Sequence, residues 1–277
     1  MIMRYLKPFI LLFSIPFLFL SCDSSSTIDN DSATGTLRVS LTDAPGDFEA
    51  VYIDIQEVKV HRSSDAEEGD GEWIVINDEP VRVDLLDLVN GKLDVLGETE
   101  LAAGNYQQLR LVLGNNNEII VGGETIQLDT PSAQQSGLKL NLNVSIEGGE
   151  IFNLLLDFDA SRSIVKAGAS GKFILKPVLR AVELEEAGTI TGEITPAESL
   201  AWVYAIADED TVAGTKANEE TGSFTIIGLP SGTYQVSAEP SADGFGSAVV
   251  PGVSVASRDT TDVGTIQLEV TETTDSE

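Results

Sequence analysis

Cysteine is all but missing from this chain: among 277 residues there is only Cys22. A single thiol rules out an internal disulfide framework and a cysteine-rich zinc site. Histidine is equally scarce, with His61 alone. A serine triad needs an imidazole within reach of its nucleophile, and no G-x-S-x-G element accompanies His61. There is no H-E-x-x-H, no phosphate-binding loop and no dinucleotide fingerprint. Basic residues are few. Sixteen Lys and Arg stand against 45 Asp and Glu, for a net charge of −29. Phosphate binding needs clustered Lys and Arg, so nucleic acid is excluded as a partner. Helical periodicity is confined to Asp84–Leu96, where Asn90-Gly91 interrupts it.

The one long apolar run lies at the start. Met1–Lys7 carries Arg4 and Lys7 and no acid, and Pro8–Leu20 reads PFILLFSIPFLFL. A basic start, a short apolar stretch and a small residue form a secretory signal. A spanning helix needs about 20 apolar residues. This run is shorter and contains Pro16. It ends Phe19-Leu20-Ser21-Cys22, which resembles a bacterial lipobox, with Phe19 where the family prefers Leu. The resemblance implies a signal peptide over 1–21 and a lipid on Cys22. It places the protein in the cell envelope, held to a bacterial membrane, with the outer membrane of a Gram-negative cell as the expected site. Each buried lipid CH2 would contribute about 0.8 kcal/mol to the anchor.

Residues 22–35 are polar and read as a tether. About 240 residues follow, enough for two ordinary domains. From Thr36 the pattern has period two. Leu37, Val39 and Leu41 alternate with Arg38, Ser40 and Thr42, and Val51, Ile53 and Ile55 follow in kind. A parity shift to Val58 and Val60 predicts a bulge near Gln56-Glu57. The acidic stretch Asp65–Glu72 is expected as a hairpin loop. Leu138–Ile146 is the clearest strand, and Gly148-Gly149 predicts a hairpin into Ile151–Asp159. Many short strands without intervening helices predict an all-β chain of two β-sandwich-like domains. The expected limits are 36–186 and 188–270, with a disordered tail over 271–277.

Four segments carry a first resemblance: LTDAP at Leu41–Pro45, LAAGNYQQLRL at Leu101–Leu111, LDFDAS at Leu156–Ser161 and LKPVLR at Leu175–Arg180. Together they are similar to the bacterial lipoprotein family called domain of unknown function 4382. That implies an exported, anchored, β-rich domain and brings no activity. TGSFTIIGLPSGTYQV, Thr221–Val236, resembles the carboxypeptidase regulatory-like domain, a transthyretin-like or carbohydrate-binding-like sandwich. Such modules serve as spacers, docking domains or glycan binders.

Candidate chemistry rests on carboxylates and aromatics. Asp157 and Asp159 are two apart on a strand and share one face. Two acids about 5 to 9.5 Å apart across a cleft would suit a glycosidase. Their oxygens would also suit Ca2+, together with Asp43 or Asp47 of the LTDAPGD turn. Against these stands a structural account, with Asp43 capping amides of its own turn and Asp157 and Asp159 facing water. Trp202 and Tyr204 are two apart on a strand and form either a sugar platform or core packing, the latter favoured by Ile206. His61 is expected to be structural. The functional expectation is a lipid-anchored, non-enzymatic protein that binds an extracellular ligand, a glycan first and a surface protein second. The alternatives are a calcium-stabilised adhesive module and a carboxylate-based hydrolase. No cofactor other than Ca2+ is expected.

Overall fold

The computed structural model describes residues 33–271 except 45, 68, 70, 131–136 and 169–170. Cys22, the signal peptide and the tail over 272–277 lie outside the described residues. Among the described residues, no helix is long and apolar enough to cross a membrane.

The first part of the chain forms β1 (Thr34–Ala44), β2 (Ala50–His61), β3 (Ile74–Asn77), β4 (Val81–Asp84), β5 (Asp94–Ala102), β6 (Gly104–Leu113), β7 (Glu118–Val121), β8 (Glu124–Asp129), β9 (Leu138–Ile146), β10 (Ile151–Asp159), a one-turn helix α1 (Ala160–Ser163), β11 (Ile164–Lys166), β12 (Phe173–Leu175) and β13 (Leu179–Glu183). The second part forms β14 (Gly188–Thr195), β15 (Trp202–Ala207), β16 (Asp210–Lys216), β17 (Ser223–Leu229), β18 (Gly232–Glu239), β19 (Ala248–Val255) and β20 (Thr260–Gln267). The protein is all-β.

Four sheets result. In the first part, β13-β10-β1-β5 faces β11-β12-β8-β7-β2-β6-β9, with β3 and β4 also paired to β2. In the second, β17-β14-β20 faces β16-β15-β18-β19. Each pair of sheets encloses its own apolar cluster, one running from Leu37 to Leu175 and the other from Ile190 to Leu268. The period-two alternation explains this. Leu37, Val39 and Leu41 are fully buried on β1, and Val203 and Ala205 are fully buried on β15. Each large apolar side chain so buried contributes about 1.5–3 kcal/mol.

Several expectations hold at the level of single elements. The register of β2 shifts between Ile55 and Glu57, where the parity change placed a bulge. β2 and β3 pair antiparallel on either side of the acidic loop. Asp84–Leu96 holds only a 3-10 turn over Leu85–Asp87 before β5 begins. One expectation fails. Ile151–Asp159 does not fold back on Leu138–Ile146. β9 pairs with β6 in the larger sheet, while β10 pairs parallel to β1 in the other. The turn at Gly148-Gly149 therefore carries the chain from one layer to the other. Gly149 N donates to Thr34 O at 2.8 Å, and Thr36 N donates to Glu150 O at 2.8 Å. Those bonds seat the arriving chain beside β1.

One local device occurs in both parts. Leu101-Ala-Ala-Gly104-Asn-Tyr106 and Leu229-Pro-Ser-Gly232-Thr-Tyr234 share the spacing L-x-x-G-x-Y. In each, the tyrosine hydroxyl donates to the carbonyl four residues back. Tyr106 reaches Ala102 O at 3.0 Å and Tyr234 reaches Pro230 O at 2.7 Å. The bond closes a corner between strands, as tyrosines do in other β-sandwiches.

The two sandwiches meet directly. Asn90 N donates to Thr215 Oγ1 at 2.6 Å, and Asn90 Nδ2 donates to Ser223 O at 3.3 Å. Gly91 has φ +77, and a Cβ there would lie 3.1 Å from Thr225 Cγ2. A side chain at this position would be strained by its backbone angle and would press on Thr225 of the second sandwich.

Candidate functional site

Three of the four segments behind the first resemblance converge at this junction. β1 delivers Asp43, the parallel β10 delivers Asp157 and Asp159, and β13 delivers Arg180 directly opposite Asp157. Alternation sends Leu154, Leu156 and Phe158 into the first core. It sends Leu155 and Asp157 to the other face of β10, where water was expected. That face is covered, with Leu155 at 0% and Asp157 at 5% exposure. The cover is the second sandwich, which brings Gly228 so close to Leu155 that a Cβ on the glycine would lie 2.9 Å from the leucine.

Asp157 is neutralised within the fold. Arg180 Nε donates to its Oδ2 at 2.8 Å, and Nη2 lies 2.5 Å from the same oxygen. Arg180 Nη1 also donates to Gly228 O at 2.6 Å, so one guanidinium joins the two sandwiches. Burial raises the Asp157 carboxyl above the ordinary carboxylate range, and Arg180 partly offsets this. Asp157 Oδ1 has no hydrogen-bond partner.

Asp43 is more exceptional. It is 3% exposed and does not cap its own turn. Its Oδ1 accepts from Ala160 N at 3.1 Å, the first residue of α1. Its Oδ2 is buried without a partner. Burial holds the carboxyl well above its usual range, and the charges of Asp157, Asp159 and Asp84 push it the same way. Asp159 is committed elsewhere. Its Oδ1 accepts from Arg162 N at 2.9 Å and Ser161 Oγ at 2.7 Å, capping α1. Asp47 is exposed. The expected set of four acids is partly divided: Asp43 and Asp157 share an enclosed junction, Asp157 and Asp159 also line one cavity of about 240 Å3 with Arg162 and Arg180 while Asp159 caps a helical turn, and Asp47 lies in the surface turn. Among the described residues, no three His, Cys, Asp or Glu side chains gather into a group able to hold a metal ion.

The aromatic pair also faces the junction. Val203 and Ala205 fill the second core, so Trp202, Tyr204 and Ile206 lie on the outer face of β15, each half-buried. The core-packing alternative for Trp202 and Tyr204 does not hold. Trp202 lines a crevice of about 400 Å3 with Phe48, Asp84, Asp87 and Lys216. Lys216 Nζ stands 5.3 Å from the Trp202 ring centroid. Tyr204 lies across Gly214, where a Cβ would come within 2.8 Å of its ring. Its phenol is pushed up to about 12, first by burial and then by the charges of Glu239, Asp159 and Asp47.

His61 sits far from this chemistry in sequence and in role. Its Nε2 is 3.0 Å from Gly71 O, and its Nδ1 accepts from Ser63 N at 2.9 Å. Its ring lies 5.0 Å from that of Trp73. Trp73 in turn stacks 4.4 Å from the guanidinium of Arg110, which is fully buried beneath the acidic loop and donates to Ala66 O at 3.2 Å. Sequence reasoning missed Arg180 and Arg110 as structural centres. The signal for Arg180 was its place in LKPVLR, where a strand that pairs with LDFDAS begins.

The family model described as "Domain of unknown function (DUF4382)" matches residues 34–177, more than half of the chain. The chain belongs to this family. The matched residues include Asp43 and Asp157, and Arg180 lies just beyond them. No curated protein matches the chain. Three solved structures resemble it loosely. The Bacillus anthracis TIE protein has 11% identity and a TM-score of 0.22 over 86% of this chain. The minor pilin GBS52 of Streptococcus agalactiae has 11% identity and a TM-score of 0.23, covering 87% of this chain and 98% of the pilin. A fimbrial protein from Bacteroides ovatus has 7% identity and a TM-score of 0.21, covering 88% of this chain and 55% of that one. The chain spans about a third of the length of the Bacillus anthracis protein, 34%. Scores of this size carry no functional argument.

Proposed function

We propose that this DUF4382 protein is a lipid-anchored, non-catalytic module of the bacterial cell envelope. It would be held through Cys22 and would bind an extracellular carbohydrate in the crevice between its two sandwiches. The observation that carries this reading is the crevice at Trp202. An indole face and Phe48 offer apolar surface to a sugar ring, while Asp84, Asp87 and Lys216 supply polar groups at its rim. A concavity that joins apolar side chains to a few fixed polar groups is a usual form of small-ligand site, and here Phe48, Leu86, Val89 and Trp202 stand beside Glu49, Asp84, Asp87 and Lys216. The resemblance of Thr221–Val236 to a carbohydrate-binding-like sandwich points the same way. Asp157 is paired with Arg180 and Asp159 caps α1, commitments that count against the carboxylate hydrolase.

The test is binding of the protein to a panel of polysaccharides, with Trp202→Ala alongside. Saturable binding to one glycan, weakened tenfold or more in the variant, is the expected outcome. Absence of binding across the panel would overturn the sugar reading. Incorporation of a labelled lipid precursor, abolished in Cys22→Ala, tests the anchor independently.

A further inference from the structure

The crevice at Trp202 is uneven in charge. Glu49, Asp84 and Asp87 line it against a single base, Lys216. The base is already answered: its Nζ donates to Glu219 Oε1 at 2.7 Å, an acid outside the lining. The acids are not. Among the described residues, none of the three is in an ion pair. Glu49 spends both oxygens on Gly123 N, at 3.1 and 3.2 Å. Asp84 spends only Oδ1, on Val51 N at 3.1 Å and Leu86 N at 3.2 Å. These bonds fix its carboxylate and leave Oδ2 without a hydrogen bond among the described residues. Asp87, exposed at the end of the same turn, makes none. The aromatic side of the crevice also suits positive charge. An indole face attracts cations, and this one already has the ammonium of Lys216 near it.

We propose that the ligand of this crevice is a cationic amino sugar, a pyranose that carries a protonated amine. The inference rests on the sugar reading above and narrows it. The C–H face of the ring lies against Trp202 and Phe48, and the ammonium donates to Asp84 Oδ2 and Asp87. A neutral sugar leaves these carboxylates without a counter-charge, and a uronate sets a like charge beside them. Charge discrimination is stronger in a partly enclosed crevice than in open water, because the effective dielectric is lower. The net charge of −29 draws cations to the whole molecule. The crevice differs from the rest of the surface in joining that charge to an aromatic face and to acceptors held in place.

The experiment titrates the full-length chain with three short oligosaccharides: a glucosamine trimer, the same trimer N-acetylated, and a galacturonate trimer. The pH is kept below neutral, so that the free sugar amine carries its proton. The glucosamine trimer should bind roughly tenfold tighter than its acetylated form, and the galacturonate trimer should not bind. Raising the salt to about 0.5 M should narrow the gap, because screening weakens the charge contact. Trp202→Ala should weaken binding of both glucosamine ligands. Asp87→Asn should cut the preference between them severalfold. Glu147→Gln, at an exposed acid on the turn between β9 and β10, should bind as the wild type does. Equal affinity for the two glucosamine ligands, or tighter binding of the acetylated or galacturonate trimer, would overturn the inference and leave the sugar reading standing. Undiminished binding of the glucosamine trimer by Trp202→Ala would place that ligand on the acidic surface at large and overturn it as well. Binding of none of the three, with none across the polysaccharide panel, would overturn both. The wild-type affinities decide the matter without any variant.

Discussion

Tyr204 shows how the surroundings of one side chain report on the junction. Its strand neighbours Val203 and Ala205 face the second core, and its own ring lies over Gly214 of the adjacent β16, within the field of Asp159 and Asp47 of the first sandwich. The phenol is raised from its ordinary 10.0 to about 12. Because the folded state holds this proton more tightly than the unfolded chain, the stability it contributes is complete below pH 10. That stability is lost as pH rises through about 12. An alkaline absorbance titration of the native protein should show late phenols, since burial raises Tyr234 as well as Tyr204, and Tyr204→Phe should remove one late step while leaving that of Tyr234. If the variant's titration overlays the wild type's, the raised phenol is not Tyr204. The sequence showed Trp202 and Tyr204 on one face. It could not show what covered that face, because the cover comes from a different domain.

Among the elements, β16 was invisible in the sequence. No strand was expected at Asp210–Lys216, yet it pairs with β15 along its length. The reason is the turn. Asp208 and Glu209 link the strands as a two-residue loop, and both have positive φ, at 50 and 71. Such mirror-image turns normally announce themselves with Asn-Gly, and neither residue is present. Holding non-glycine residues in this conformation costs on the order of 1 kcal/mol each. Replacing the pair, Asp208→Asn with Glu209→Gly, should therefore stabilise the protein by about 1 kcal/mol, read as a raised denaturant midpoint at unchanged slope. The hairpin expected at Gly148-Gly149 failed for the opposite reason. The turn chemistry was sound, but two glycines bend a chain equally well within a sheet and between two sheets. Strands with clear alternation, such as the start of β1 and the whole of β9, were legible because one face of each is buried in a core that the strand itself declares.

For the molecule as a whole, the decisive residue is Arg180. It neutralises Asp157 on one sandwich and binds Gly228 O on the other. Arg180→Met keeps the stem and removes the charge. It would leave Asp157 buried with no cation to offset it, and breaking such a pair costs about 3–5 kcal/mol. The expected outcome is a lowered unfolding midpoint, with the two sandwiches melting in separate steps where the wild type melts in one. An unchanged melt would show that the junction does not couple them. The candidate acids were found in the sequence, but their division was not. Asp43 and Asp157 are set apart from exposed Asp47 by what lies over them, and that depends on how one domain sits against another.

β1 is clamped between β5 and β10, in parallel with the latter. It is the first described strand of the chain, while β10 begins at Ile151. A polypeptide delivered with its N-terminus first, from a ribosome or through a membrane pore, thus presents its opening strand long before the partner that seals it. Such distant pairings form slowly. One edge of the opening strand is taken by β5, the other waits for β10, and the sheet that carries the acidic junction closes only once β13 has arrived.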